Sequence, residues 1–345
     1  MYYLETGSLD PAYNLAFEEY VLCNRLAGDY LLLWQNESSV IIGLNQNTKE
    51  EINEAFVREH GIKVVRRTTG GGAVYHDLGN LNYSFITDCQ EDADQSVHKF
   101  TAAVADALIS LGIRAEASGR NDILADGKKV SGTAQRIAGN RILYHGTLLF
   151  DVNAEMMEGA LRPDPLKFQS RSTKSVRSRV GSIREALKGG PWENITLQEF
   201  WELIRERLQI EDISDNSLHK KDAGALQGGL LTNSERKEVL ALKASKYDTW
   251  EWNYGRSPAY SFCHKRRFPG GTLEVCMEID QGLIAGLRLH GDFLSKKDPK
   301  ELCERLCGIP CRREAVYPAL SETDLAPYLG GITKEELFLV MFPDT

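Results

Sequence analysis

Residues 64–87 read VVRRTTGGGAVYHDLGNLNYSFIT. Two valines lead into Arg66 and Arg67, followed by Gly70, Gly71 and Gly72, the pair His76-Asp77, the pair Gly79-Asn80 and an alternating apolar run. Three consecutive glycines remove every Cβ from one side of a loop, so the backbone can approach a bound group closely and adopt positive φ. Two arginines beside that opening supply planar, permanently charged forks, a pairing suited to a phosphate or a carboxylate. The glycines and arginines alone leave open a plain Gly-rich hairpin with two solvated cations. The stretch is not a dinucleotide fingerprint, because the third glycine of G-x-G-x-x-G falls on Tyr75. Nor does the chain contain G-x-x-x-x-G-K-[ST]. Any nucleotide held here sits on another fold.

Working outward, residues 62–65 read as the strand entering the loop and 81–87 as the strand leaving it. Upstream, Asp10-Pro11 opens a helix as N-cap and N1 residues, with Tyr13, Phe17, Tyr20 and Val21 on one face. Residues 29–35 and 39–43 read as strands and 49–60 as one helix stopped by Gly61. Downstream, 95–111 reads as a long helix. A strand, an Asp126-Gly127 turn and a second strand follow, then a Gly139-Asn140 turn into a strand over 141–152. Helices mixed with antiparallel hairpins indicate α+β rather than a doubly wound fold. Thr196 and Glu199 form a capping box for a helix to about residue 208. Residues 211–229 read as a loop and 234–242 as a helix. Beyond an aromatic cluster at Tyr247, Trp250, Trp252 and Tyr254 comes a hairpin around Asp280-Gln281-Gly282. Helices over 299–306, 321–328 and 334–341 complete the chain. The expected organisation is a domain over 1–246, a linker or hinge over 247–258 and a small α+β domain over 259–345.

Net charge is −8, which argues against broad nucleic-acid binding. No run approaches 18 apolar residues and the first residues lack a signal-peptide pattern, so a cytoplasmic protein without membrane spans is expected. Seven cysteines without a secretory signal read as reduced thiols. Cys303, Cys307 and Cys311 have C-x₃-C-x₃-C spacing, which fits neither zinc knuckles nor common iron–sulfur runs. Against the acidic total, residues 161–188 carry a net charge of +6 and read as a solvated loop or, the favoured reading, a phosphate-closing loop or a docking site for an acidic partner.

Strand alternation after the Asp126-Gly127 turn places Lys129, Ser131, Thr133 and Gln135 on one face. This face is either solvated or a pocket wall in which the Lys129 ammonium meets an anion. Gly132 and the preceding Asn121-Asp122 are unusual inside strands and favour a nearby ligand. Asp122 is a carboxylate able to meet Mg²⁺ brought by a nucleotide, or else a turn contact. His76 and His145 are candidate pocket groups, with a hydrogen-bonded structural histidine as the commoner alternative.

Several segments taken in order resemble lipoate–protein ligase A. RRTTGGGAVYHDLGN, GRNDILADGKKVSG, YHGTLLF, KSVRSRV, WEWNYGRSPAYSF and FPGGTLEVCMEIDQGLI span nearly the whole chain. The resemblance implies a large domain of the biotin/lipoate-ligase type, akin to class II synthetases with a mixed and largely antiparallel sheet, plus a small C-terminal α+β domain. It implies condensation of lipoate with ATP and Mg²⁺ to lipoyl-AMP, with pyrophosphate release. Transfer to a lysine of apo lipoyl carrier domains follows, namely 2-oxoacid dehydrogenase E2 subunits and the glycine cleavage H protein. Lys129 matches the essential lysine. Arg67, Gly72, Ala73, Val74, Tyr75, Asn121, Asp122 and Lys129 are the expected adenylate contacts. Gly70, Gly71, Gly72, His76, Lys129 and His145 are the expected lipoyl contacts, and Asp122 the expected Mg²⁺ ligand. The cysteine trio matches no family feature.

Three rivals remain. A carrier-to-carrier octanoyl or lipoyl transferase on this fold needs a thiolate near the lysine strand, and no cysteine lies between Cys89 and Cys263. A biotin–protein ligase has a different signature. A non-catalytic lipoate or nucleotide sensor has no need of Lys129 and Asp122.

Overall fold

The computed structural model describes residues 1–25, 27–44, 46–89, 93–118, 122–161, 180–208, 231–255, 260–293, 297–321 and 323–343. Most of the basic segment at 161–188, the polar loop at 211–229 and Asn121 lie outside the described residues. Two compact units are present. The first comprises Met1–Leu44 and Gly61–Thr249, the second Asn45–His60 and Trp250–Thr345.

In chain order the first unit contains β1 (Tyr2–Glu5), helix α1 (Pro11–Asn24), β2 (Tyr30–Trp34), β3 (Ser39–Ile42), β4 (Lys63–Arg66), β5 (Val74–His76) and β6 (Asn80–Asp88). After helix Ala93–Ser110 come β7 (Ala115–Ser118), β8 (Asp122–Ala125), β9 (Lys128–Ala138) and β10 (Arg141–Leu149). Seven strands form one sheet in the order β1-β2-β6-β10-β9-β8-β7, and β4-β3-β5 form a small second sheet. Among the described residues the parallel strand pairs are β1–β2 and β3–β4. This is the expected α+β architecture. The core lies where the large sheet meets helices Ala93–Ser110 and Leu197–Leu208. Phe85 stacks on Phe100 at 4.7 Å and Phe150 on Phe200 at 4.9 Å. Each such fully buried ring contributes about 1.5–3 kcal/mol.

The Asp10 side chain caps α1 by accepting from the Ala12 amide. The sequence suggested one apolar face. Instead α1 is buried on nearly every side, Asn14, Glu18 and Glu19 included. Polar side chains on so enclosed a helix need internal partners, and two of those partners lie in the site.

The β8–β9 hairpin turns through Asp126 (φ 48°) and Gly127 (φ 75°), the primed geometry its Asp-Gly pair demands. The register shifts where Ile123 faces Ser131 but Leu124 faces Lys129, leaving Val130 as an extra residue. This bulge changes the phase of the strand. Strict alternation grouped Lys129 with Ser131, but Ser131 is fully buried and touches the Tyr83 hydroxyl, while Lys129 comes beside Gly132.

The second unit holds an antiparallel meander, β11 (Tyr260–Phe268), β12 (Gly271–Asp280) and β13 (Leu283–Gly291), with Gln281 (φ 48°) and Gly282 (φ 77°) in the expected turn. Leu273, Val275, Met277 and Ile279 face its core, which also takes residues from helices Lys300–Leu306, Arg313–Ala319, Ala326–Leu329 and Lys334–Met341. Where one helix was expected over 321–328, the described residues hold the short helix Ala326–Leu329. Pro327, in the first turn, starts the helix at Ala326, and Pro318 ends the preceding one. The single helix expected over 49–60 is two short helices, Thr48–Glu51 and Glu54–Glu59. Ile52 is extended between them, and the Asn53 side chain caps Phe56. The expected linker at 247–258 holds π-helical backbone over Glu251–Gly255.

The reading of every cysteine as a reduced thiol is corrected for one pair. Cys263 and Cys276 stand directly opposite each other on β11 and β12 and form a disulfide. Cys23, Cys89, Cys303, Cys307 and Cys311 form no disulfide.

Candidate active site

The glycine loop is held from within. Arg67, only 6% exposed, donates from Nε to the Thr69 hydroxyl at 2.9 Å and from Nη1 to the Ile41 carbonyl at 3.1 Å. Its Nη2 donates to the Gly70 and Gly72 carbonyls at 2.6 and 2.9 Å. Arg66 is fully buried and donates to the Gly43 and Leu44 carbonyls. Neither guanidinium is the open fork that the sequence suggested: buried backbone carbonyls need donors, and these two arginines supply them. Burial pulls Arg67 down to about 10, with Glu18 opposing the shift. Of the three glycines only Gly71 takes positive φ (91°), and a Cβ there would meet Arg67 Nη2 at 3.0 Å.

Strand register builds the opposite wall. Asn82 on β6 faces Trp34 on β2 and Thr147 on β10, and Gly146 faces Thr133 on β9. These residues, with Leu15, Ile41, Arg67, Gly71, Gly72, Ala73, Val74, His76, Lys129 and His145, enclose a cavity of about 280 Å³. Leu15, Trp34 and Ile41 make part of the lining apolar. Lys129 is also in the lining, its ammonium 2.7 Å from Asp122 Oδ1.

Beneath the cavity runs a buried polar chain. Glu18 accepts from the Ser84 hydroxyl at 2.6 Å and from His145 Nδ1 at 2.9 Å, and the Trp34 indole donates to Ser84. His145 Nε2 lies 2.8 Å from the Thr69 hydroxyl. Because Thr69 accepts from Arg67, its own proton is free to go to His145 Nε2, which leaves the ring proton on Nδ1 toward Glu18. His76 is fixed in the same way. Asn14 donates to Asn36 Oδ1, so the Asn36 amide donates to His76 Nδ1 at 3.0 Å and the ring proton sits on Nε2. Burial, with Arg67 and His145 nearby, pushes His76 down to about 3, so it is neutral. His76 and Asn82 line the cavity, and among the described residues His76 Nε2 and Asn82 Nδ2 are buried without a partner. Unspent donors in lining side chains call for an acceptor.

Of the residues expected from sequence, Arg67, Gly71, Gly72, Ala73, Val74, His76, Lys129 and His145 come together around this cavity, and Asp122 joins through Lys129. Gly70 holds Arg67 but is not in the lining. The Tyr75 side chain turns away into the core and contacts Ser38. Sequence reading missed Trp34, Asn82 and Glu18. Asn80, Asn82 and Ser84 alternate on a strand that is otherwise apolar, and that pattern was the available signal.

Comparison with known proteins agrees with this arrangement. Residues 10–209 match the Lipoyl protein ligase A/B catalytic domain, and residues 257–341 match the Bacterial lipoate protein ligase C-terminus. The chain belongs to the lipoate–protein ligase family. It is therefore an enzyme of the ligase class. It is 40% identical to a lipoate-protein ligase of Bacillus subtilis over 335 residues, which are 96% of this chain and 97% of that one. It is 39% identical to lipoate–protein ligase 1 of Staphylococcus aureus over 337 residues, 96% and 97% of the two chains. Among solved structures it resembles a bipartite ligase of Thermoplasma acidophilum, described with its E2 lipoyl domain, at TM-score 0.60 and 27% identity, covering 74% of this chain and 95% of that one. A ligase from the same organism with bound lipoic acid and a lipoate-protein ligase A bound with ATP each match at TM-score 0.59 and 26% identity, covering 74% of this chain and 98% of theirs. Among the described residues no helix is long and apolar enough to cross a membrane.

Proposed function

We propose that this chain condenses lipoate with ATP to lipoyl-AMP, releases pyrophosphate, and passes the lipoyl group to a lysine of apo lipoyl domains. The supporting observation is one cavity lined by apolar Leu15, Trp34 and Ile41, by His76 and Asn82 with their unspent donors, and by Lys129 with its partner Asp122. In this reading the acyl chain lies against Leu15, Trp34 and Ile41. The neutral His76 Nε2–H and the Asn82 amide hold ligand oxygens without adding charge. Arg67 keeps the glycine loop in shape so that its backbone meets the nucleotide, and His145 is fixed by Glu18 as part of the lipoyl wall.

Attack of a carboxylate on the α-phosphate brings two anions together. The Lys129 ammonium, on a strand rather than a loop, offsets that repulsion and stabilises the charge that builds on the phosphoryl oxygens. During transfer the same ammonium holds the acyl-phosphate while the carrier amine attacks. Asp122 is an oxygen donor, as Mg²⁺ requires, and its carboxylate is a third exposed. Among the described residues no cluster of three acidic, histidine or cysteine side chains could hold a metal unaided, so the ion fits as one arriving on the phosphates with Asp122 as its protein anchor. Bound there, Mg²⁺ supplies charge neutralisation for the departing pyrophosphate.

E2 subunits and the glycine cleavage H protein are the proposed carriers, with support from the relative described with its E2 lipoyl domain. The cytoplasm is the proposed location. The test is incubation with lipoate, ATP·Mg²⁺ and an apo lipoyl domain. A lipoyl-sized mass gain on one carrier lysine that requires ATP supports the reading. A gain from an acylated carrier without ATP replaces it with a transferase, and binding without any gain replaces it with a sensor.

A further inference from the structure

The second unit holds its own cavity, of about 370 Å³, and sulfur lines much of it. The Cys263–Cys276 disulfide borders it, as do Cys303 and Cys307, one helical turn apart on Lys300–Leu306 and its cap. Cys263 is exposed and Cys276 half-buried, so the disulfide can be reached from solvent. Strand register puts Arg288 directly opposite Cys276, giving one row of Cys263, Cys276 and Arg288 across the three strands. Among the described residues Arg288 has no acidic partner, whereas Lys300 pairs with Glu304 at 3.8 Å, and Glu278 and Glu304 also line the cavity. Phe262, Met277 and Leu287 form the neighbouring row, whose side chains alternation turns to the opposite face, against the core.

An accessible disulfide with a cation in the same strand row suits a particular ligand chemistry, a short-chain dithiol that ends in a carboxylate. We propose that this cavity is a thiol–disulfide exchange site for dihydrolipoate, the reduced form of the acyl substrate. The choice of dithiol rests on the lipoate reading above; the exchange site itself does not.

Electrons and atoms balance without another reagent. One thiolate of the dithiol attacks Sγ of Cys263, forming a mixed disulfide and releasing Cys276 as a thiolate. The second sulfur of the dithiol then attacks the first, closes the 1,2-dithiolane ring and expels Cys263. Two electrons pass to the protein, and the two thiol protons end on Cys263 and Cys276. Cys303 is not the attacking group: it is buried, and burial pushes its thiol up to about 11. The reaction returns the acid to its cyclic form and leaves the second unit reduced, one equivalent per chain.

The test uses the full-length protein purified without reductant. Alkylation with maleimide and peptide mass mapping follow incubation with dihydrolipoate, with dihydrolipoamide, which has the same dithiol but no carboxylate, or with dithiothreitol. The site predicts two new alkylated cysteines, Cys263 and Cys276, and one lipoate formed per chain. Dihydrolipoate should react about fivefold faster than dihydrolipoamide, the size of one exposed ion pair, and Arg288→Ala should erase that difference without slowing dithiothreitol. The double variant Cys263→Ser, Cys276→Ser should form no lipoate yet still fold and ligate. Recovery of Cys263 and Cys276 as thiols before any treatment overturns the proposal, as do equal rates for the acid and the amide on the wild-type chain. ATP-dependent transfer is measured on the same preparation. If transfer is absent while the acid preference persists, the ligase reading falls and the exchange site stands; the reverse pattern leaves ligation intact and removes the site.

Discussion

Lys129 Nζ lies 2.7 Å from Asp122 Oδ1, yet the angles fall short of a hydrogen bond, so the contact is an ion pair and little more. Both side chains are about a third exposed. Such a pair adds at most ~1 kcal/mol to stability. It parks an ammonium beside the cavity and gives it up readily to a stronger anion.

Asp122→Asn should therefore leave the unfolding free energy within ~1 kcal/mol of wild type. Loss of a charged contact to ATP·Mg²⁺ should lower kcat/KM for ATP ten- to a hundredfold, corresponding to about 1.5–3 kcal/mol. Steady-state pyrophosphate release with varied ATP checks this, and a change below twofold removes Asp122 from the site.

A Cβ on Gly132 would lie 2.9 Å from both Cε and Nζ of Lys129. The far end of a lysine moves easily, so Gly132→Ala should cost under ~1 kcal/mol of stability. The displaced ammonium should lower adenylation kcat by about tenfold or more, the usual penalty for misplacing a catalytic charge. Wild-type kcat in a folded Gly132→Ala protein would show that the bulge does not position Lys129.

Gly79 makes the opposite case. A Cβ there would fall 2.0 Å from the Asp151 carbonyl oxygen, and backbone cannot step aside as a side chain can. Gly79→Ala should destabilise the first unit by about 1–3 kcal/mol or more, read as a lower denaturation midpoint in urea. An unchanged midpoint would mean that the loop closes differently.

His76 is held neutral, with its folded value pushed down to about 3 by burial, against an ordinary 6.5. The unfolded chain takes up a proton below 6.5 and the folded one does not. Stability linked to this group is therefore complete above pH 6.5 and is lost as pH falls toward 3. Between pH 7 and pH 5 the loss should be about 2 kcal/mol. His76→Gln should abolish that share of the acid sensitivity in urea titrations at the two pH values. Equal pH dependence in the two proteins would show that His76 is protonated in the folded state.

The glycine loop, the Asp126-Gly127 hairpin and the Thr196–Glu199 capping box were legible because local residues dictate local backbone there. Gly71, Gly127 and Thr196 each act within a few residues of themselves. The site was legible only in part. Lys129 and His145 stood out by type, but Trp34 and Asn82 meet through strand register between segments nearly 50 residues apart. Glu18 hides on a helix buried on nearly every side, where periodicity carries no information. The arginines were misread because their partners are backbone carbonyls, which sequence does not display. The bulge at Val130 shifted a face that alternation assigned with confidence only to an ideal strand. The disulfide was misjudged because composition speaks to compartment, whereas pairing depends on two cysteines standing opposite each other.

The most direct measurement of the central claim is lipoate-dependent pyrophosphate release by Lys129→Ala. Circular dichroism and the urea midpoint establish first that the variant is folded. Loss of about 2–4 kcal/mol of transition-state stabilisation predicts a fall of roughly 30- to 1,000-fold with folding intact. Release at the wild-type rate from a folded Lys129→Ala chain would contradict the account.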